Sequence, residues 1–168
     1  MCYHKKGIMI PSKRYHINIY VNDSHLIWEA YSRISTAPVI IPPSDPKEQY
    51  ELIVKYLDKS FADSLSSEEL AHESIHAIQV RDDILNPNKI KEEIDLEGVD
   101  WDNFEADRER KRAYFSRPPE IMAFAYDVAA QTNKWQTTVK EYQDIGGEVL
   151  QVFERYIKEY QRAKTLRR

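Results

Sequence analysis

Residues 72–76 have the sequence His-Glu-Ser-Ile-His, an H-E-x-x-H pattern that supplies the kinds of side chain found in metal centres. On a helix, His72 and His76 lie one turn apart on the same face, so both imidazoles can reach one cation. Glu73 lies about 100° further round, where its carboxylate can hold a metal-bound water without becoming a ligand. The pattern therefore predicts a zinc site with Glu73 as general base. The alternative is two histidines on an ordinary amphipathic helix.

The flanking residues predict that the pattern lies on a helix spanning about residues 67–81. Ser66 and Glu69 form an S-x-x-E capping box, which is typical of a helix start. One face of this helix consists of apolar or small residues that can be buried, namely Leu70, Ala71, Ser74, Ile75 and Ile78. The two histidines are therefore expected on a helix that packs against the core.

A zinc site needs a third protein ligand. The other histidines, His4, His16 and His25, all precede the pattern, and residues 77–82 lack the glycine and histidine of an H-x-x-G-x-x-H extension. A carboxylate on another helix is therefore expected. Glu120 is the best candidate because it opens a predicted apolar helix. The alternative for Glu120 is an acidic first-turn residue that interacts with the helix dipole.

Two segments resemble known peptidases. Residues 70–79, LAHESIHAIQ, and 114–125, YFSRPPEIMAFA, resemble small uncharacterised peptidase-like proteins of bacterial viruses, in which an R-P-x-E-x-x-A segment recurs. More broadly, H-E-x-x-H with a downstream E-x-x-A resembles the gluzincins, zinc metallopeptidases with two histidines and one glutamate as ligands. The ImmA/IrrE-like peptidases share these parts more loosely. The resemblance covers about residues 66–130.

The resemblance implies that the two histidines of the pattern and Glu120 bind one Zn²⁺ ion and that Glu73 is the general base. The sequence departs from the gluzincins at one position. Many of them carry an aspartate four residues after the ligand glutamate, where this chain has Phe124. Asp127, seven residues after Glu120 and two turns along the same face, is a candidate for orienting a ligand histidine instead.

The expected function is that of a zinc-dependent peptidase or amide hydrolase acting on a peptide or protein. Glu73 would take a proton from a metal-activated water and pass it to the leaving amine. Four residues are candidates for stabilising the transition state, and the sequence does not choose among them: Tyr114, Tyr126, Arg117 and His25.

An alternative function from another class is a structural or assembly component, for instance of a virus particle, with a structural or inactive metal. Such a protein would assemble with other viral proteins. The presence of Glu73 favours an enzyme, because a general base contributes nothing to a structural metal.

The composition limits the binding partners and the cellular location that we expect for this protein. The net charge of −4 gives no attraction to nucleic acid or anionic membranes, and no stretch approaches the roughly 18–20 apolar residues of a membrane span. Cys2 is the one cysteine, so no internal disulfide can form. With no apolar signal-peptide region, we expect a cytoplasmic protein, in the host cell if it is viral, or one packaged in a virion.

The remaining patterns predict one α+β domain of 168 residues, β-rich over about 1–43 and mainly helical over 44–168. Alternating apolar residues predict a strand over 14–21, and a small antiparallel sheet would add 25–34 and 39–41. Together with the H-E-x-x-H helix, this is the layout of a minimal zincin-like domain. Further helices are predicted over about 46–62, 101–114, 120–132, 135–144 and 149–160, with a surface loop over 83–100.

Overall fold

The computed structural model describes residues 38–82 and 96–166, together with two strands near the N-terminus. The strands β1 (Tyr3–Lys5) and β2 (Ile8–Ile10) pair antiparallel, with Tyr3 opposite Ile10. The helices follow in chain order as α1 (Pro46–Tyr56), α2 (Lys59–Asp63), α3 (Leu70–Arg81), α4 (Arg108–Phe115), α5 (Pro118–Ala130), α6 (Gln136–Ile145) and α7 (Gly147–Leu166). A 3₁₀ turn, Thr132–Trp135, joins α5 to α6.

The predicted α+β class is wrong, because the described body of the protein is helical. Residues 38–82 and 96–166 contain helices and their connections but no strand. Two paired segments of three residues do not make a sheet layer, which needs three or more strands or a packing partner. The predicted strands over 14–21 and 25–34, and residues 83–95 of the predicted loop, lie outside the described residues. The N-terminal sheet of a zincin-like domain is therefore not a layer of the described fold.

Residues 39–41, predicted as a third strand, form a segment without regular secondary structure that lies on α7. Ile40 is buried, and its carbonyl oxygen accepts a hydrogen bond from the Tyr160 hydroxyl at 2.7 Å. Pro42 and Pro43 follow directly and lack the N–H groups that a strand ladder needs. The apolar run therefore reflects burial against a helix and not strand pairing.

The helix predicted over 46–62 is interrupted. Asp45 caps its start, and its carboxylate accepts the Lys47 N–H at 3.0 Å. At Leu57 the backbone leaves the helical region, and the N–H groups of Leu57 and Asp58 both donate to the Ile53 carbonyl. Asp58 then adopts an extended conformation and precedes α2. The apolar spacing continues across this break, which is why the pattern predicted one helix.

The helix of the H-E-x-x-H pattern, α3, begins at Leu70, three residues later than predicted. One bond of the predicted capping box forms, since Glu69 Oε1 accepts the Ser66 N–H at 3.0 Å. The Glu69 N–H in turn donates to the Ser66 carbonyl, so residues 67–69 form a tight turn before the helix. All eight residues from His72 to Gln79 are buried. The pattern therefore lies on a helix held within the core, as expected.

Helices α3 and α5 pack antiparallel. Gln79, near the end of α3, contacts Pro119 at the start of α5, whereas His72 contacts Asp127 two turns further along α5. This arrangement brings both histidines of α3 over Glu120 in the first turn of α5.

An aromatic core supports this helix pair. The Phe124 ring on α5 contacts four other buried rings, those of Tyr114, Phe115, Trp135 and Tyr142. Tyr142 on α6 stacks on Phe153 of α7 with centroids 3.9 Å apart. Two glycines with positive φ lie at the junction of these helices: Gly146 ends α6 and Gly147 begins α7. Helix α7 can therefore fold back over α5.

The other helices differ from their predictions mainly at the ends. Helix α4 starts at Arg108 and not near residue 101, because Asp107 adopts a left-handed backbone conformation (φ 55°) immediately before it. The Asp107 carboxylate accepts the Asp100 N–H at 3.0 Å and so stabilises the preceding turns. Among the helices given above, none combines the length and the apolar character that crossing a membrane requires.

Phe153→Ala tests the aromatic core. Phe153 is 1% exposed, so the truncation leaves a cavity, and we expect the free energy of unfolding to fall by about 3–5 kcal/mol. Gln151→Ala, at an exposed position of the same helix, is the matched control and should change it by less than about 0.5 kcal/mol. Urea denaturation followed by circular dichroism measures both. Equal losses in the two variants would contradict the packing described here.

Candidate metal centre

Two imidazoles of α3 and one carboxylate of α5 converge in the core. His72 Nε2 lies 3.3 Å from Glu120 Oε2, His76 Nε2 lies 2.9 Å from Glu120 Oε1, and the two Nε2 atoms are 3.2 Å apart. The exposed fractions of the three residues are 1%, 8% and 6% for His72, His76 and Glu120. This buried group could hold a metal ion.

The outer nitrogen of each imidazole also has a partner. His72 Nδ1 lies 2.6 Å from Asp127 Oδ2, and His76 Nδ1 lies 2.8 Å from Gln79 Oε1. Gln79 Nε2 donates to the Pro119 carbonyl at 3.2 Å, so it is the amide oxygen that faces His76. Both Nδ1 atoms therefore face an acceptor oxygen. An imidazole that carries its single proton on Nδ1 directs the lone pair of Nε2 toward Glu120.

The spacing of these atoms fits a small cation. In a tetrahedral site with metal–ligand distances of about 2.0–2.1 Å, neighbouring ligand atoms are about 3.3 Å apart. The three separations measured here run from 2.9 to 3.3 Å. Two imidazole nitrogens and a carboxylate are a ligand set typical of zinc, although other first-row divalent metals accept the same donors. Without a metal, protons on the imidazoles can satisfy the same contacts.

Charge–charge interactions in the buried group change the pKa values of its members. Burial disfavours a charged His72, but the carboxylates of Asp127 and Glu120 outweigh it and raise the pKa of His72 well above its ordinary 6.5. For His76, burial is likewise outweighed by Glu120 and then Glu73, so its pKa is raised. Burial would raise the pKa of Glu120, but His76 and His72 hold it well below the ordinary value. A metal must therefore displace protons to bind.

Three further residues named from the sequence lie at this site. Glu73, the predicted base, is 4% exposed, and its charge contributes to the raised pKa of His76, which indicates that its carboxylate is close. Asp127 contacts His72 in the manner expected of an orienting carboxylate. Phe124, at the position where many gluzincins have aspartate, packs its ring on His72 with centroids 4.8 Å apart.

The candidates for a transition-state donor have different surroundings. Arg117 lies beside the site, with Nη2 3.9 Å from Glu120 Oε1 and its guanidinium 4.3 Å from the Tyr114 ring centroid. Tyr114 is fully buried in the aromatic core, which indicates a packing role. Tyr126 is half-buried and packs on a tyrosine of α7. His25 lies outside the described residues.

Gln79 is a site residue that the sequence reasoning missed. It follows His76 by three positions, a spacing that places both side chains on one face of a helix. This spacing could have indicated a role for Gln79. It is common in helices, however, and does not by itself distinguish an amide that orients a histidine from one that faces solvent.

No family model, curated protein or solved structure matches this chain. The resemblance to peptidases therefore stays a prediction from residues 70–79 and 114–125.

A metal ion at this site would compete with protons for the two imidazoles, which predicts opposite effects of pH on the stability of the metal-free and the metal-loaded protein. In the metal-free protein, the raised pKa values of His72 and His76 contribute stability that is complete below the ordinary value of 6.5. This stability is lost as the pH rises through the folded-state values. A metal ion such as zinc would bind the deprotonated ligands, so the additional stability it provides should grow over the same interval.

Thermal melting between about pH 6 and pH 9, with a chelator or with excess zinc, measures both effects. We expect the difference in melting temperature between the two conditions to widen as the pH rises. A difference that stays constant or narrows would contradict binding to these histidines.

Proposed function

We propose that this chain is a zinc-dependent peptidase or amide hydrolase of the gluzincin type, with His72, His76 and Glu120 holding one zinc ion. The observation that carries the proposal is the convergence of two Nε2 atoms and one carboxylate at 2.9–3.3 Å, with both Nδ1 atoms hydrogen-bonded elsewhere. The same three residues are the ligands implied by the sequence resemblance. Their arrangement depends on two antiparallel helices and needs no sheet.

Zinc, when bound, supplies Lewis acidity: it lowers the pKa of a bound water toward about 7 and polarises a carbonyl group. Glu73 follows His72 directly on α3 and lies close enough to affect the pKa of His76. In the proposed reaction its carboxylate accepts a proton from the attacking water and delivers it to the leaving amine. Arg117, a buried cation beside Glu120, is the best placed of the named donors to stabilise negative charge in the transition state.

The proposed substrate is an amide bond of a peptide or protein, because one carboxylate that first accepts and then returns a proton suits a poor amine leaving group. The similarity of residues 70–79 and 114–125 to peptidase-like proteins of bacterial viruses supports a viral enzyme. Such an enzyme would act in the host cytoplasm or be packaged in the virion.

The burial of the ligands favours a second candidate, a structural metal centre in an assembly protein. Structural zinc sites are closed, whereas catalytic sites keep one coordination position open. All three ligands here are at most 8% exposed. Glu73 is the feature that this alternative does not explain, since four-coordinate structural sites need no base beside the ligands.

Glu73→Gln separates the two candidates. Glu73 is not a ligand in the proposed site, so the variant should keep one zinc ion per chain. Its amide cannot accept a proton, so hydrolysis should fall by about 10²–10⁴-fold. Elemental analysis measures the zinc, and mass spectrometry of a mixed library of synthetic peptides measures cleavage by the zinc-loaded protein.

Glu69→Gln is the matched control, because Glu69 is equally buried at 4% and lies one turn earlier. Its amide oxygen can still accept the Ser66 N–H, so we expect wild-type cleavage. His76→Ala should lose both zinc and cleavage. A wild type that binds zinc but cleaves no faster than Glu73→Gln would favour the structural centre, and one that binds no zinc would refute both candidates.

A further inference from the structure

We propose that Gln79 is a positioning residue that selects the metal-binding tautomer of His76. The inference rests on the metal centre of the proposed function but not on hydrolysis. Gln79 is fully buried on α3, and its side chain contacts the outer nitrogen of His76 on one side and α5 on the other.

The contacts of Gln79 fix which end of its amide faces the histidine. Its Nε2 atom lies 3.2 Å from the Pro119 carbonyl oxygen and 3.7 Å from Met122 Sδ, and both of these groups are acceptors. The NH₂ end must therefore face α5, which leaves Oε1 to accept from His76 Nδ1 at 2.8 Å. Because Pro119 directly precedes Glu120, the same amide ties the second histidine to the helix that carries the third ligand.

This hydrogen bond matters because a neutral His76 has two places for its single ring proton. Glu120 Oε1 lies 2.9 Å from Nε2, and hydrogen bonds to an ionised carboxylate are stronger than those to a neutral amide. With no acceptor at Nδ1, the proton would lie on Nε2 and donate to Glu120. The lone pair would then point away from the metal position. Gln79 disfavours the tautomer with the proton on Nε2, because it gives the buried Nδ1–H a hydrogen-bond acceptor that this group would otherwise lack.

The two ligand histidines differ in the charge of their outer partners. His72 donates to the carboxylate of Asp127, whereas His76 donates to a neutral amide. The site already contains the carboxylates of Glu120, Asp127 and Glu73. A neutral acceptor fixes the tautomer of His76 without adding another negative charge to this buried cluster.

The experiment compares Gln79→Met with Gln79→Glu. Methionine has a similar shape but offers only a weak acceptor, whereas glutamate retains an oxygen that can accept from Nδ1. Nitrogen-15 NMR of the folded, metal-free protein, at a pH that deprotonates the imidazoles, reports which nitrogen of His76 carries the proton. Competition with a chromogenic chelator gives the dissociation constant for zinc.

We expect His76 to carry its proton on Nδ1 in the wild type and in Gln79→Glu, and on Nε2 in Gln79→Met. The dissociation constant for zinc should rise about 10–100-fold in Gln79→Met. Gln49→Met is the matched control, because Gln49 is also buried and donates to a proline carbonyl, that of Pro43 at 2.6 Å. It should leave the tautomer and the affinity unchanged.

A proton on His76 Nε2 in the wild type overturns the proposal, and this measurement requires no variant to fold. An Nδ1 proton that persists in Gln79→Met overturns it too, as does a loss of zinc affinity in Gln49→Met equal to that in Gln79→Met. If the wild type binds no zinc, the proposed function fails, while the tautomer measurement still decides the role of Gln79.

Discussion

Three electron-rich groups, the Nε2 atoms of His72 and His76 and the carboxylate of Glu120, face one another in a volume nearly closed to water. Such groups repel unless positive charge lies between them, and burial strengthens the repulsion because little solvent screens it. A metal ion or protons between the three groups reduce that repulsion. The packing of α3 on α5 is linked to this charge, since the three residues form one of the contacts between the two helices, beside that of Gln79 with Pro119.

The distance between two carboxylates on α5 sets the orientation of the His72 ring. Glu120 and Asp127 are seven residues apart, which is two helical turns or about 10.5 Å. An imidazole placed between them can present Nε2 to the first and Nδ1 to the second, as observed. The position one turn after Glu120 is thereby left to Phe124, which packs on His72 and joins the site to the aromatic core. An aspartate is therefore not needed at that position.

The site was more predictable from the sequence than the fold. Within a helix, sequence separation fixes which side chains share a face, so the His72–His76 spacing and the Glu120–Asp127 spacing could be read directly. Gln79 is buried and reaches His76 because of where α5 packs. The spacing of residues within α3 gives no information about the position of α5. The apolar run at 39–41 is equally compatible with a strand and with an extended segment buried on a helix. Periodicity alone could not separate these, and the class was predicted wrongly.

The charges around the site favour catalysis over a structural metal. A divalent ion with neutral imidazoles is already balanced by the carboxylates of Glu120 and Asp127. Two further charged residues are buried beside the site, Glu73 at 4% exposure and Arg117 at 2%. Neither is needed to hold the ion. Glu73 directly follows one of the two ligand histidines on α3, and the proposed hydrolase gives it the role of general base. Arg117 also contacts the Tyr114 ring and carbonyl, which would explain it in either case. Burying charge is costly, and a purely structural centre gives Glu73 no role beside the ligands.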